Sequence, residues 1–164
     1  MGSADTFARI IGSGDIYGLQ NLIGRFGYPT AYSAIKYLLG SHDQIFNKWF
    51  YDAPRNHPAL RSDIPPLFPH FDAQNRVLAF QRWNNAGDVI LIVVNLSDNQ
   101  WNDPIYGVNV GGSGDRWTEI FNSQAPQYGG WPDSGNYLAD LRVDTDGQLR
   151  IRVPQWSVLM LQKN

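Results

Sequence analysis

The stretch "RVLAFQRWNNAGDVILIVVNL", Arg76 to Leu96, constrains the fold more than any other part of the chain. Its first half alternates. Val77, Ala79 and Gln81 fall on one face of a strand, and Leu78, Phe80 and Arg82 on the other. Its second half contains "VILIVV", Val89 to Val94, which is apolar on both faces and is therefore expected to be a central strand. Between the two lies "NNAGD", rich in residues that tolerate positive φ. The pair is expected to form a hairpin with a four- or five-residue loop.

The pattern continues downstream. Further strands are expected at Ile105–Val110, Trp117–Phe121, Leu138–Val143, Leu149–Val153 and Ser157–Leu161. "DTDGQ" is a strong turn signal between two of them. Many short strands with Gly- and Asn-rich turns and no intervening helices imply an antiparallel sandwich. Sparse charge and abundant aromatic residues, Gly and Pro fit such a turn-rich fold.

The front third has a different period. Asp15 can cap a helix carrying Ile16, Leu19, Leu22, Ile23 and Phe26 at helical spacing. Gly27 and Pro29 stop it. A second helix is expected from about Thr30 to Leu39, ended by Gly40. A third can start at Ser41 or Asp43 and end before Pro54. The Pro-rich stretch "DAPRNHPALRSDIPPLFP" then breaks any regular element and marks the boundary between the halves.

Several function classes are disfavoured. The 164 residues suggest one domain, or one with an appendage. With no cysteine, disulfides and thiolate metal sites are excluded. A formal charge of −2 gives no electrostatic footprint for nucleic acid. No apolar run is long enough to span a bilayer, so no membrane partner is expected, and no signal-peptide pattern opens the chain. "Asn95-Leu96-Ser97" is a formal glycosylation sequon but reads as a strand end.

Chemistry-bearing motifs are few. There is no Gly-x-Ser-x-Gly, phosphate loop or metal-ligand spacing, so no cofactor is implied. His42 and Asp43 are adjacent within "GSHDQ". By spacing alone Asp43 caps a helix and His42 lies at the surface. Trp101, Trp117, Tyr128, Trp131 and Tyr137 fall in or beside expected loops. A flat exposed ring can cover the face of a sugar while polar neighbours take its hydroxyls. Trp131, Tyr128 and Trp101 are therefore candidate carbohydrate contacts. The competing reading packs these rings into or over the core.

Taken in order, "VLAFQRW…DVILIVVNLSD", the Trp-x-Glu-Ile strand, "Tyr-Gly-Gly" and the final "Pro-x-x-Ser-Val-Leu" strand resemble the C-terminal all-β domain of α-amylase-superfamily enzymes. The likeness is strongest to 1,4-α-glucan branching enzymes of glycoside hydrolase family 13. It implies an antiparallel Greek-key β-sandwich over residues 60–164, preceded by two to three short helices. It also gives "Gly40-Ser41-His42-Asp43-Gln44" a second reading, because it resembles a conserved segment of the family's catalytic barrel. There Asp43 would match the carboxylate that stabilises the transition state, with His42 its companion.

The family's nucleophilic Asp and acid/base Glu lie on earlier barrel strands, and only a short segment separates Asp43 from His57 here. Residues 1–55 thus read as a helical remnant of the barrel, and the chain is expected to be inactive alone. The resemblance implies a non-catalytic domain of α-glucan metabolism in a cytoplasm, structural or touching glucan. Two alternatives stand beside it. One is an independent carbohydrate-binding module. The other is an interaction protein whose front helices fold back on the sandwich, self-associate or bind a partner protein.

Overall fold

The computed structural model describes residues 9–10, 12–25, 57–136 and 140–164. In chain order these form helix α1 (Ile16–Arg25), a 3-10 turn at Pro58–Arg61, and strands β1 (Leu67–Asp72), β2 (Val77–Trp83), β3 (Val89–Asn95), β4 (Trp101–Asn109) and β5 (Arg116–Asn122). A second 3-10 turn (Pro126–Tyr128) leads to β6 (Leu141–Arg142), β7 (Gln148–Val153) and β8 (Ser157–Lys163). The expected mainly-β fold is present. Among the described residues the front contributes α1 and, before Asp15, helical residues at 9–10 and 12–13; the second and third expected helices lie outside them.

Every strand pairing is antiparallel. Six strands form one sheet in the order β1-β2-β3-β8-β5-β6, and β4 pairs with β7 in a second. Val143, just past β6, bridges to Leu149 in β7. Strands β8, β5, β6 and β7 therefore lie in the spatial order of a Greek key.

The central hairpin explains both layers. Trp83 pairs with Val89, leaving the five-residue loop Asn84–Asp88. Asn84 closes it: its side-chain oxygen accepts from the amides of Ala86 and Asp88, both at 3.0 Å. Gly87 takes φ +94°, which a side chain would resist. On one face Val77, Ala79, Leu91, Val93, Leu159 and Leu161 pack against Tyr106, Val108, Leu149, Ile151 and Val153 of the small sheet. On the other, Leu78, Phe80, Ile90, Ile92 and Met160 pack against Ile10, Ile16 and Leu19 at the helix and Ala59 and Leu60 at the first 3-10 turn. The described part of the front end thus folds back on the sandwich. Asp15 caps α1 as expected, its Oδ1 accepting from Gly18 N at 2.9 Å.

Strand β5 serves both cores. Trp117 faces the small sheet, whereas Phe121 faces the helical side. Glu119 opposes Leu161 and Phe121 opposes Met160, so Ile120 is an extra residue. This β-bulge reverses the alternation and leaves Ile120 exposed.

Two features depart from the sequence expectations. The Pro-rich stretch carries strand β1, with Pro69 inside it. Proline is tolerated because β1 is an edge strand, with an irregular register between Leu67 and His70. Trp117, grouped with loop aromatics by sequence, is a core residue. The sequon is unavailable in the folded domain: Asn95 is 1% exposed and its Nδ2 donates to Asn99 O and Pro154 O.

Arg82 is fully buried on the helical face. Its two terminal nitrogens donate to the carbonyls of Ser62 and Ile64, tying the incoming segment to the sheet. Burial lowers its pKa, and nearby Asp63 opposes that shift. Removing the guanidinium would strand two carbonyls and leave a cavity. Arg82→Ala is expected to cost about 3 kcal/mol, and Arg82→Met less, since it refills the space. Urea unfolding reads the loss of stability. Limited proteolysis between Pro58 and Pro66 reads the loss of the clamp, and should remain elevated in Arg82→Met.

Candidate functional site

The loop after β5 is built to return a tryptophan to the domain surface. Ala125–Tyr128 turn tightly, Tyr128 N donating to Ala125 O at 2.9 Å. Gly129 follows at φ +88°. Gly130 then presses against the Gln124 carbonyl so closely that no side chain fits. That same carbonyl accepts from Trp131 N at 3.1 Å and Ser134 Oγ at 2.8 Å. The glycine pair is what lets the chain double back here.

Trp131, half-buried, lines an open concavity of about 430 Å³ together with Gln100, Asn102, Pro132, Asp133, Arg152 and Gln155. That volume is within the range of small-molecule sites, about 300–1,000 Å³. One indole supplies apolar area, and amides, a carboxylate and a guanidinium supply hydrogen bonds. The lining suits a ligand with alternating apolar faces and hydroxyl edges.

A buried polar junction fixes this surface from beneath. Asn136 donates from its amide N and from Nδ2 to Glu119 Oε2, both at 2.9 Å. Its Nδ2 also reaches Arg152 O, and its Oδ1 accepts from Arg152 N at 2.8 Å. Arg152 Nη1 donates to Gly135 O at 3.2 Å. Burial pushes the Glu119 carboxyl up from its ordinary pKa, against hydrogen bonds from Asn136 and the nearby Arg152 charge, which pull it down.

The other candidates sit differently. Tyr128 stacks on Phe121, ring centroids 5.5 Å apart, against the helical-side core. Trp101 tilts onto Tyr106 at 4.3 Å beside the opposite core. Neither lines the concavity with Trp131. Asp43, His42 and Tyr137 lie outside the described residues. Sequence reasoning did not single out Gln100, Asn102, Asp133, Arg152 or Gln155, which come from three separate stretches of the chain. The one available signal was "LRIRV", whose alternation turns Arg150 and Arg152 away from the core.

A second polar cluster seals the edge between the two sheets. Tyr106 Oη donates to Asp72 Oδ2 at 3.0 Å and lies 2.8 Å from His70 Nε2. Burial lowers the His70 pKa, partly opposed by Asp72. These groups join β1 to β4 and face no cavity lined by Trp131. Among the described residues no three potential metal ligands cluster, and no helix is long and apolar enough to cross a membrane.

Comparison with known proteins decides the family. The family model for the alpha amylase C-terminal all-beta domain matches residues 70–164. The chain belongs to that family. It is 35% identical over 97 residues to the 1,4-alpha-glucan branching enzyme GlgB of Pseudomonas putida, covering 56% of this chain and 12% of that protein. The corresponding enzyme of Pseudomonas fluorescens is 28% identical over 145 residues, covering 82% of this chain and 18% of the relative. The chain therefore spans less than a fifth of either relative's length. A crystal structure of an alpha-amylase from H. orenii overlaps 73% of this chain and 20% of that one, at 17% identity and a TM-score of 0.45.

The Glu119 junction has a testable pH signature. A carboxyl whose folded pKa is raised above its unfolded value of 4.5 stabilises the fold fully below that value. The contribution is lost as pH rises through the folded value. Glu119→Gln keeps an acceptor for Asn136 but cannot ionise. The stability of wild type relative to Glu119→Gln is expected to fall between pH 4 and pH 7, as read by urea unfolding at each pH. A difference that stays constant or rises with pH would contradict the burial argument.

Proposed function

We propose that this chain is the non-catalytic C-terminal β domain of an α-glucan-active enzyme resembling the branching enzymes, working in a cytoplasm, and that it touches glucan at Trp131. The observation that carries the glucan contact is the concavity, where an indole face stands among Gln100, Asn102, Asp133, Arg152 and Gln155. Membership of the amylase C-terminal family and the names of the relatives supply the sugar class. Residues 60–164 constitute the domain. Residues 1–55 are the barrel remnant, in which Asp43 and His42 are relics of a sugar subsite.

The lack of catalysis rests on the described acidic groups. Glu119 is bonded to Asn136, and Asp72 to Asn75 and Tyr106. Asp140, Asp144 and Asp146 pair with arginines at the surface. Asp144 and Asp146 do share one open concavity, but both are paired with Arg150, so neither is left as a free acid or nucleophile for glycoside chemistry. A partner on the helical face is the lesser reading, since Ile16 and Leu19 are already buried against the sheet.

Two measurements test the proposal. The purified chain on amylose is expected to give no branching and no hydrolysis, and detectable turnover of either kind would refute the non-catalytic assignment. In native gels containing amylopectin the wild type is expected to be retarded, and Trp131→Ala to lose most of that retardation. Wild-type mobility unchanged by the polysaccharide would remove the glucan contact and leave only a packing role.

A further inference from the structure

The arch between β7 and β8, Pro154–Trp156, holds a second tryptophan in a conformation that the fold itself does not favour. Trp156 has φ +47°, the left-handed region where glycine is at ease and a bulky side chain is an outlier. It is also 42% exposed, so core burial does not repay the strain. The surroundings nevertheless fix it. Its amide donates to Ser97 O at 3.1 Å. Its indole Nε1 donates to Asp98 Oδ1 at 2.6 Å, a charge-assisted bond that sets the ring's orientation. Gln124 Nε2 donates to the Gln155 and Trp156 carbonyls at 3.2 and 3.1 Å.

Gln124 also links this arch to the site already described. Its backbone carbonyl accepts from Trp131 N, so one residue ties both tryptophan-bearing loops together. Gln155, the residue before Trp156 in the same arch, lines the Trp131 concavity. An exposed ring held by its surroundings at the cost of backbone strain points to a surface role, because strained residues of this kind cluster at ligand clamps and binding sites. A fixed ring also loses little freedom on binding.

We propose that Trp156 is a second aromatic platform for α-glucan, extending the contact surface beyond the Trp131 concavity along one chain of sugar. This rests on the glucan-contact reading above and names a further binding residue for it. Trp156 would stack on a glucose face, with Gln155 and Asp98 beside it to accept or donate to hydroxyls. A longer oligosaccharide would engage both rings, whereas a short one would need only the concavity.

The test uses the full chain with maltoheptaose and maltotriose by calorimetry, amylopectin gels, and thermal unfolding. Trp156→Gly suits the backbone, so its melting point is expected to stay within about 2 °C of wild type or rise. Its affinity for maltoheptaose is expected to fall roughly tenfold with maltotriose little changed. Trp156→Phe, which keeps a ring but loses the Asp98 bond, should fall in between. If Trp156→Gly binds maltoheptaose like wild type while Trp131→Ala does not, the second platform is overturned and the concavity stands. If wild type binds neither sugar, both readings fail. A melting point lowered by more than about 5 °C in Trp156→Gly would make the ring structural and overturn the proposal. So would a dimer in light scattering that Trp156→Gly and Trp156→Phe both dissociate, since a second copy would then own the surface.

Discussion

A sheet whose middle strand is apolar on both faces cannot exist with either face in water. Leu91 and Val93 point one way and Ile90, Ile92 and Val94 the other, and all are buried. Each such side chain contributes on the order of 1.5–3 kcal/mol by leaving water, so both coverings are obligatory. The small β4–β7 sheet covers one side. Helix α1 and the segment from His57 to Pro66 cover the other, with the Arg82 guanidinium holding that segment down. The proposed glucan contact sits where the loops carrying Trp131 and Gln155 meet Asn102 of β4 and Arg152 of β7, at the margin of the small covering sheet.

Those loops are fastened without a single cysteine. Buried asparagines take the role instead. Asn95 holds the β3–β4 connection and the β7–β8 arch, accepting from Ser97 as well as donating to Asn99 and Pro154. Asn122 accepts from Gln124 N and donates to Ser134. Asn136 joins Glu119 to the backbone of Arg152. An amide side chain can donate and accept at once, so each one satisfies two segments from a single buried position. Polar networks of this kind rigidify the loops they cross. They explain how a ring such as Trp156 can be kept in a conformation it would not choose.

Much of the fold was legible in the sequence, because period-two burial leaves a direct trace in residue type. The β2–β3 hairpin, the strands downstream and the "DTDGQ" turn all follow from alternation and turn chemistry. Asp144 N bonds Gln148 O, and Gly147 N bonds Asp144 O, repeating the pattern of Asn84, Gly87 and Asp88. Strand β1 was hidden because Pro69 argues against a strand unless its edge position is known. The bulge at Ile120 was hidden because an extra residue changes register without changing composition. For the concavity, Trp131 was visible as an aromatic in a Gly-rich loop. Its polar neighbours were not, since they are ordinary surface residues that only the tertiary fold assembles.

The bulge has a mechanical consequence. Because β5 crosses from one interior to the other, the backbone carrying Glu119 at the loop junction continues directly into Phe121 on the helix-facing side. The two halves of the molecule are thus linked in series along one rod. Asn136 grips the Glu119 side chain only two peptide units from Phe121, so a displacement of the loop junction reaches the strand that lines the opposite interior, with β8 paired alongside to share it.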